Sequence, residues 1–509
     1  MIKDICFFTI LFFMTTTLLQ SQDNIMYQTP PSEILELVDI ERAPIVRIDS
    51  KGEQMLFYYR SSFKSLHELN QPEVRLAGLR VNPVSNISST ITYYNDIRYK
   101  RINETEIKQV KGLPSEARIT YASFSPDETM IAFINTTDKG VELWMIDLAT
   151  LQARRLTEAV LNANAGFPYS WLPDGSGLLA RVVPSSRTSL IDADKSVPEG
   201  PVVSVSDGQV SQNRTYQDLL QNSIDENNFE ILMTSELYEV SLDGSATLWK
   251  EAGMFVDHEF SPDGRYVMVT TLAKPFSYVV PYYSFPNQTD IYTANGELLI
   301  NFSKQPLLDN LPVGFMATFE GKRYIHWRSD KPSTLAWVEA LDKGDPAVEA
   351  EYRDELFQVE SPFNGTPTSL IKMNHRVSGI TWGNDTYAVV QDRWWNTRNT
   401  KTYLFNPSNN SLPARVLSDR NYQDLYNHPG VFQTKKNEQG QYTLLMDGHT
   451  AYLFGDGYSP EGQFPFIDEL DLRTLEKRRI YQSTATNQME DLVSFIDSKQ
   501  GTLITRIES

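Results

Sequence analysis

Three near copies of one phrase, FSPDE (124–128), WLPDG (171–175) and FSPDG (260–264), organise the first half of this chain. Proline presets φ, aspartate bonds its own backbone and glycine supplies a positive φ, so each phrase predicts a tight turn. The sequels agree with one another. SPDET is followed by MIAFINTT and then VELWMIDLAT, while SPDGR is followed by YVMVTTL and then DIYTANGEL, which is the pattern of strands joined by hairpins. From Pro126 to Pro173 is 47 residues, and from Pro173 to Pro262 is 89, close to two periods of 44 to 45. A period of 40 to 50 residues marks a β-propeller. The longer interval therefore predicts a degenerate copy that has lost its turn but kept the strand ELYEVSLDG (236–244), together with a polar insertion at about 184–228 whose RTYQDLLQN predicts a short helix.

The rest of the chain keeps the strands and loses the phrase. GKRYIHWRSD with TLAWVEALDKGDP, VSGITWGNDTYAVVQDR with TKTYLFNP, and GQYTLLMDG with AYLFGDGY and FPFIDELDLRT each predict a further unit. With a first blade around PIVRIDSKGEQMLFYYR and VRLAGLRV, the expectation is an all-β chain, a β-propeller of about seven four-stranded blades. The run TLITRIES (502–509) is the candidate strand for closing the ring. Asp127, Asp174 and Asp263 repeat because the blade repeats, and aspartate in a turn needs no catalytic explanation.

Composition narrows the function. The 509 residues carry a formal charge of −19 with no basic stripe, which argues against a nucleic-acid partner. Aromatic residues make up 11%, which suits half-buried pleated surfaces. The opening MIKDICFFTILFFMTTTLLQSQDN has a lysine-led start and an apolar stretch too short and too interrupted by threonines for a spanning helix. It predicts a signal peptide at 1–22, then an extension at 23–44 and the propeller at 45–509, with no membrane span once the signal is removed. The single cysteine, Cys6, lies inside that signal. Export without disulfides points to a bacterial periplasm or the extracellular space.

Motifs for chemistry are scarce. The nearest approach to a hydrolase elbow, GYSPE (457–461), places Pro460 and Glu461 where small residues are required. The six histidines form no H-E-x-x-H pair, and no Walker loop, Rossmann fingerprint or EF-hand loop occurs. No catalytic residue, metal site or cofactor is assigned. The strongest binding candidate is QDRWWNTRNTK (391–401), where Arg393, Trp394, Trp395 and Arg398 crowd one hairpin. Arginine and tryptophan dominate binding hot spots, and guanidinium matches carboxylate geometry. The competing reading is a blade hairpin with tryptophans in the core and solvated arginines.

Four longer stretches, PPSEILELVDIERAPIV (30–46), RTYQDLL (214–220), HWRSDKPSTLAWVEALDKGDP (326–346) and GYSPEGQFPFIDELDLRT (457–474), resemble the N-terminal half of the prolyl oligopeptidase family of serine peptidases, in its glutamyl endopeptidase-like branch. The resemblance implies a propeller that covers a Ser-Asp-His site on an α/β-hydrolase domain and restricts entry to peptides and unfolded proteins, with cleavage after acidic residues. No triad residue carries over to this chain. It halts at IES, about where the relatives cross into the hydrolase, so the expectation is a propeller truncated before a missing C-terminal hydrolase domain and inactive alone. The alternative is a free-standing periplasmic propeller that binds peptides or protein partners. A third class, a propeller with carboxylate chemistry of its own such as a glycosidase, has no motif in its favour.

Overall fold

The computed structural model describes residues 29–40, 42–192, 195, 196, 200 and 215–508; the expected signal peptide and Cys6 lie outside them. Two units separate, 1–43 with 61–64 and 44–60 with 65–509. In the first, Ser32–Val38 forms a helix. The second holds seven antiparallel sheets with four strands in simple meander order, the seventh carrying one extra short strand. They are blade 1 (Ile45–Ile48, Gln54–Tyr59, Asp96–Arg101, Lys108–Gln109), blade 2 (Ile119–Phe124, Met130–Thr137, Gly140–Asp147, Gln152–Arg155) and blade 3 (Tyr169–Trp171, Gly177–Val182, Ser235–Ser241, Ala246–Gly253). Blade 4 follows (Phe255–Phe260, Tyr266–Leu272, Asn287–Thr293, Leu298–Gln305), then blade 5 (Arg323–Trp327, Thr334–Ala340, Asp354–Glu360, Thr368–Met373). Blade 6 (Arg376–Trp382, Ala388–Trp394, Asn399–Phe405, Arg415–Asn421) and blade 7 (Val431–Phe432, Thr450–Gly455, Phe466–Asp471, Lys477–Gln482) complete the series. This is the expected propeller of four-stranded blades.

Each quoted phrase joins the first strand of a blade to its second. In blade 2, Ser125 Oγ donates to Asp127 Oδ1 at 2.7 Å, and Thr129 donates to the same carboxylate through its amide and its hydroxyl. Asp174 and Asp263 do the same work in blades 3 and 4. Gly175 and Gly264 hold φ of +73° and +71°, and in FSPDE the equivalent residue is Glu128, at +63°.

Five local expectations change. The 89-residue interval is one blade with a long insertion, because Ser235–Ser241 pairs with Gly177–Val182 in blade 3. Among the described residues the insertion's helix is Ser223–Met233, and 215–222 of the expected segment form none: the Asn222 side chain caps the helix by accepting from the Asp225 amide, and Phe229, Leu232 and Met233 give it a buried face. VRLAGLRV leaves blade 1 to form a three-stranded sheet (Val74–Leu76, Leu79–Asn82, Ile87–Ser88), and Asp96–Arg101 takes its place beside Gln54–Tyr59. In GQYTLLMDG, Tyr442–Leu444 pairs with Thr434–Lys436 in a separate hairpin. Finally, Thr502–Glu508 pairs with Met489–Asp497, so TLITRIES closes no blade.

Apolar side chains join consecutive blades. Leu56 and Tyr58 of blade 1 pack with Ile131 and Phe133 of blade 2, and Ala132 and Ile134 of that same strand pack with Leu178 and Ala180 of blade 3. Equivalent clusters join blades 3 and 4, 4 and 5, 5 and 6, and 6 and 7. At the remaining seam the final hairpin supplies the packing. Phe495 lies 5.1 Å from the Tyr452 ring and 5.0 Å from the Phe454 ring of blade 7, while Ile496 meets Gly52 in the first turn of blade 1. Gly52 has φ +67°, and a Cβ there would come within 3.1 Å of Ile496.

Replacing Phe495 by alanine is expected to lower stability by about 2 kcal/mol, less than the ~3–5 kcal/mol of a fully buried phenylalanine such as Phe133. Urea midpoints of the two alanine variants measure this; an unchanged midpoint for Phe495→Ala would show that the seam is held by something else.

Candidate functional site

The hairpin singled out in the sequence is the turn between the second and third strands of blade 6. Strand alternation divides its side chains between two sides. Trp394 points inward, 8% exposed, stacked on His375 at 5.8 Å with the Arg353 guanidinium 4.2 Å from its ring. Arg393 emerges on the opposite face, its guanidinium 3.6 Å from the Tyr422 ring. Arg398, at φ +57° in the turn, stacks on Trp395 at 3.9 Å and donates to the Tyr422 hydroxyl at 3.2 Å. Trp395 also meets the Phe315 ring at 5.1 Å and stays 38% exposed. So Arg393, Trp395 and Arg398 assemble around Tyr422, and Trp394 does not join them.

Tyr422 was missed in the sequence, since only the fold brings it across from the end of the blade's fourth strand. Burial alone would raise its phenol, but hydrogen bonds and positive charge from Arg393 and Arg398 outweigh that and hold it below its ordinary value. Among the described residues neither arginine is paired with a carboxylate. The cluster can stack a planar or aromatic group and receive an anion.

A second locus is the middle of the propeller. The first strands of blades 1 to 4 face one cavity of about 480 Å³, which identifies them as the inner strands; Arg47, Ser123, Trp171 and Glu259 line it. Lys436 and Tyr442 of the 434–444 hairpin line it too. That hairpin leaves blade 7 and touches blades on both sides: Lys436 Nζ lies 2.7 Å from Glu128 Oε1 in blade 2, and Asn437 Nδ2 donates to Ser329 O in blade 5 at 2.8 Å. It therefore crosses the cavity. Glu128 is buried and also accepts from the Ser50 amide at 3.1 Å and the Ser50 hydroxyl at 2.7 Å, which brings in blade 1. A left-handed conformation costs a non-glycine residue about 1 kcal/mol. Here the carboxylate's bonds offset that cost.

Glu259 in the cavity wall is reached by water and yet enclosed by protein, and the enclosure decides its titration. It pushes the carboxyl up to about 7, and neighbouring Asp257 adds to the rise. Beside it His258 is buried, with Nε2 2.9 Å from Leu179 O; burial and then Arg181 pull it down to about 3. Among the described residues no group of three or more His, Cys, Asp or Glu side chains could hold a metal, and no helix is long and apolar enough to cross a membrane.

This is a seven-bladed propeller with a hairpin across its central cavity and a cationic, aromatic cluster on blade 6. No family model matches it. The chain is 32% identical over 494 residues to a probable chloroplastic glutamyl endopeptidase of Oryza sativa subsp. japonica, covering 93% of this chain and 52% of that protein. It is 32% identical over 501 residues to the Arabidopsis thaliana protein of the same description, covering 94% and 52%. Among solved structures, a prolyl endopeptidase aligns at 12% identity over 92% of this chain and 53% of that one, with a TM-score of 0.39. Pyrococcus horikoshii acylaminoacyl peptidase aligns at 11% over 91% and 57%, with a TM-score of 0.36. Over more than nine-tenths of its length the chain resembles the two plant glutamyl endopeptidases. It spans about half the length of the curated relatives it matches.

Two outcomes are expected. Lys436→Met should release the crossing hairpin, so that amide exchange at 437–441 speeds up by about tenfold, the loss of one charge-assisted bond, while the blade strands stay protected. For Glu259, the folded carboxyl sits above its unfolded value near 4.5, so its stabilising contribution is complete below that value and is lost as pH rises to about 7. Glu259→Gln should therefore raise the melting temperature more at pH 8 than at pH 5.5; an equal change at both pH values would assign the effect to packing.

Proposed function

We propose that this chain is the substrate-gating propeller of an exported serine endopeptidase that cleaves after acidic residues, working with an α/β-hydrolase domain that these residues do not include. The observation that carries the reading is the hairpin across the central cavity, clasped between Glu128 and Lys436. A space of about 480 Å³ admits an extended peptide and excludes a folded domain. The names of the two plant relatives support the peptidase assignment and the acidic preference.

In this reading the propeller selects and the hydrolase cuts. A hydrolase serine attacks the peptide carbonyl, a histidine takes its proton and returns it to the leaving amine, and backbone amides hold the oxyanion. No residue of this chain takes part in those bonds. Arg393 and Arg398, with Trp395 as a stacking surface, draw acidic peptides toward the particle. Peptides and unfolded proteins are the partners, and the leader at 1–22 directs export to the periplasm or beyond.

The test is the native protein in its source cell, detected with an antibody to this segment. A band well above 58.1 kDa that also reacts with a fluorophosphonate probe is the expected result. A band at or just below 58.1 kDa with no such reactivity overturns it and favours a propeller that only binds.

A further inference from the structure

Blades 6 and 7 stand apart toward the turn between the second and third strands of blade 6 and are packed together at the other end of those strands. Tyr387, Val389 and Leu404 of blade 6 meet Leu444, Ala451, Leu453 and Leu470 there. Toward that turn, the alternating positions of blade 6 that face blade 7 become polar: Gln391 and Arg393 on the second strand, Thr400 and Thr402 on the third, Ser418 and Arg420 on the fourth. Polar side chains do not fill the gap as leucines would, and a cleft of about 610 Å³ remains. That is the size of a small-molecule or side-chain site.

Its charge is unlike that of the rest of the molecule. The chain has 65 acidic residues against 46 Lys and Arg, yet the lining holds Arg393, Arg420, Lys477 and His428 and no carboxylate. Arg420 is fixed in place by donating through Nη1 to the carbonyls of Asn421 and Asp424, both at 3.0 Å, which leaves its other nitrogens uncommitted to those carbonyls. His428 Nδ1 accepts from the Gly430 amide at 3.1 Å, so in the neutral ring Nε2 carries the proton and is a donor. Burial, and then the charge of Arg420, lower His428 below its ordinary value against an opposing pull from Asp456. Lys477 has one carboxylate at hand, Asp468 at 3.4 Å, itself buried beneath the cleft. The apolar part of the wall is accessible: Val416 and Val431 are 50% and 59% exposed.

We propose that the cleft between blades 6 and 7 is a carboxylate-binding subsite, which takes the acid group against Arg393 and Arg420 and the adjoining apolar portion of the ligand against Val416 and Val431. Guanidinium pairs receive a planar carboxylate through two parallel bonds, and a low-dielectric wall strengthens them. The proposal deepens the peptidase reading, because an acidic peptide is the substrate that reading calls for. Its test involves no hydrolysis and no second domain, so either proposal can fail while the other stands.

Calorimetric titration of the full chain with acetyl-Leu-Glu-Leu-amide, its glutamine analogue and hexanoate decides the matter. The expected result is that the glutamyl peptide binds, the glutamine analogue binds at least about tenfold more weakly, and Arg420→Gln and Arg393→Gln each weaken binding by about tenfold or more. Rising salt should weaken it further. Ser418→Asp, which places a carboxylate on the surface of the cleft without removing a structural bond, should abolish binding in a chain with an unchanged melting curve. Binding of the peptide but not of hexanoate assigns the acid to a peptide side chain; binding of hexanoate with the same arginine dependence assigns it to a free acid, and either supports the carboxylate site. Equal affinity for the glutamyl and glutamine peptides, indifference to both arginine changes, or no binding of either acid overturns it.

Discussion

A four-stranded blade has two apolar faces, and neither can be left to water. The strand Met130–Thr137 shows the constraint in one element: Ile131 and Phe133 are buried toward blade 1, and Ala132 and Ile134 are buried toward blade 3. Burial of each isoleucine or phenylalanine side chain of this kind contributes about 1.5–3 kcal/mol. Every blade therefore needs a neighbour on both sides, and a row of blades has exposed ends unless it returns on itself. Among the described residues no strand is shared between blades 1 and 7. Closure falls to side-chain contacts from the 489–508 hairpin, so backbone ladders hold each blade together and side-chain packing holds the blades to one another at every seam.

That dependence explains what could be read in the sequence. Turn phrases and strand runs are local, and they announced the propeller because every blade faces the same burial problem and blades 2 to 4 solve it with the same turn. Insertions are local too, but their length imitates a period. Between Pro173 and Pro262 the spacing fits a lost blade as well as it fits an insertion, and only the pairing of Ser235–Ser241 with Gly177–Val182 distinguishes them. The hairpins at 434–444 and 489–508 have the alternation of blade strands, since pleating is the same wherever a strand lies. What differs is the edge each strand pairs with, and that is a long-range property.

The site was partly legible for the same reason. Arg393, Trp395 and Arg398 lie within one turn of chain, so their crowding showed in the text, and strand alternation explains why Trp394 parts company with them. Tyr422 and Arg420 come from the far edge of the blade. Glu128 carried a subtler signal. It occupies the position where the other two phrases have glycine, which in one sequence reads as a worn repeat. The structure shows a charged residue held in a glycine conformation because two other elements, the first turn of blade 1 and the 434–444 hairpin, use its carboxylate at once.

The arginines of this acidic chain divide into two kinds, and desolvation explains the division. Taking a guanidinium out of water is costly unless its donors find acceptors. Arg376 is buried between the carboxylates of Asp342 and Asp354, and Arg328 pairs with Asp330 at 2.6 Å. Arg181, also buried, instead donates to the carbonyls of Phe167 and Phe255, and burial lowers it to about 10. These three hold blades together and present no charge to a ligand. Arg393, Arg398 and Arg420 are only partly covered, stack on aromatic rings or bond backbone carbonyls, and have no carboxylate partner among the described residues. Stacking fixes a guanidinium without neutralising it. The end of blade 6 that carries the 394–399 turn therefore keeps a positive field on a chain of net charge −19, and an anion is the ligand that such an arrangement is preorganised to receive.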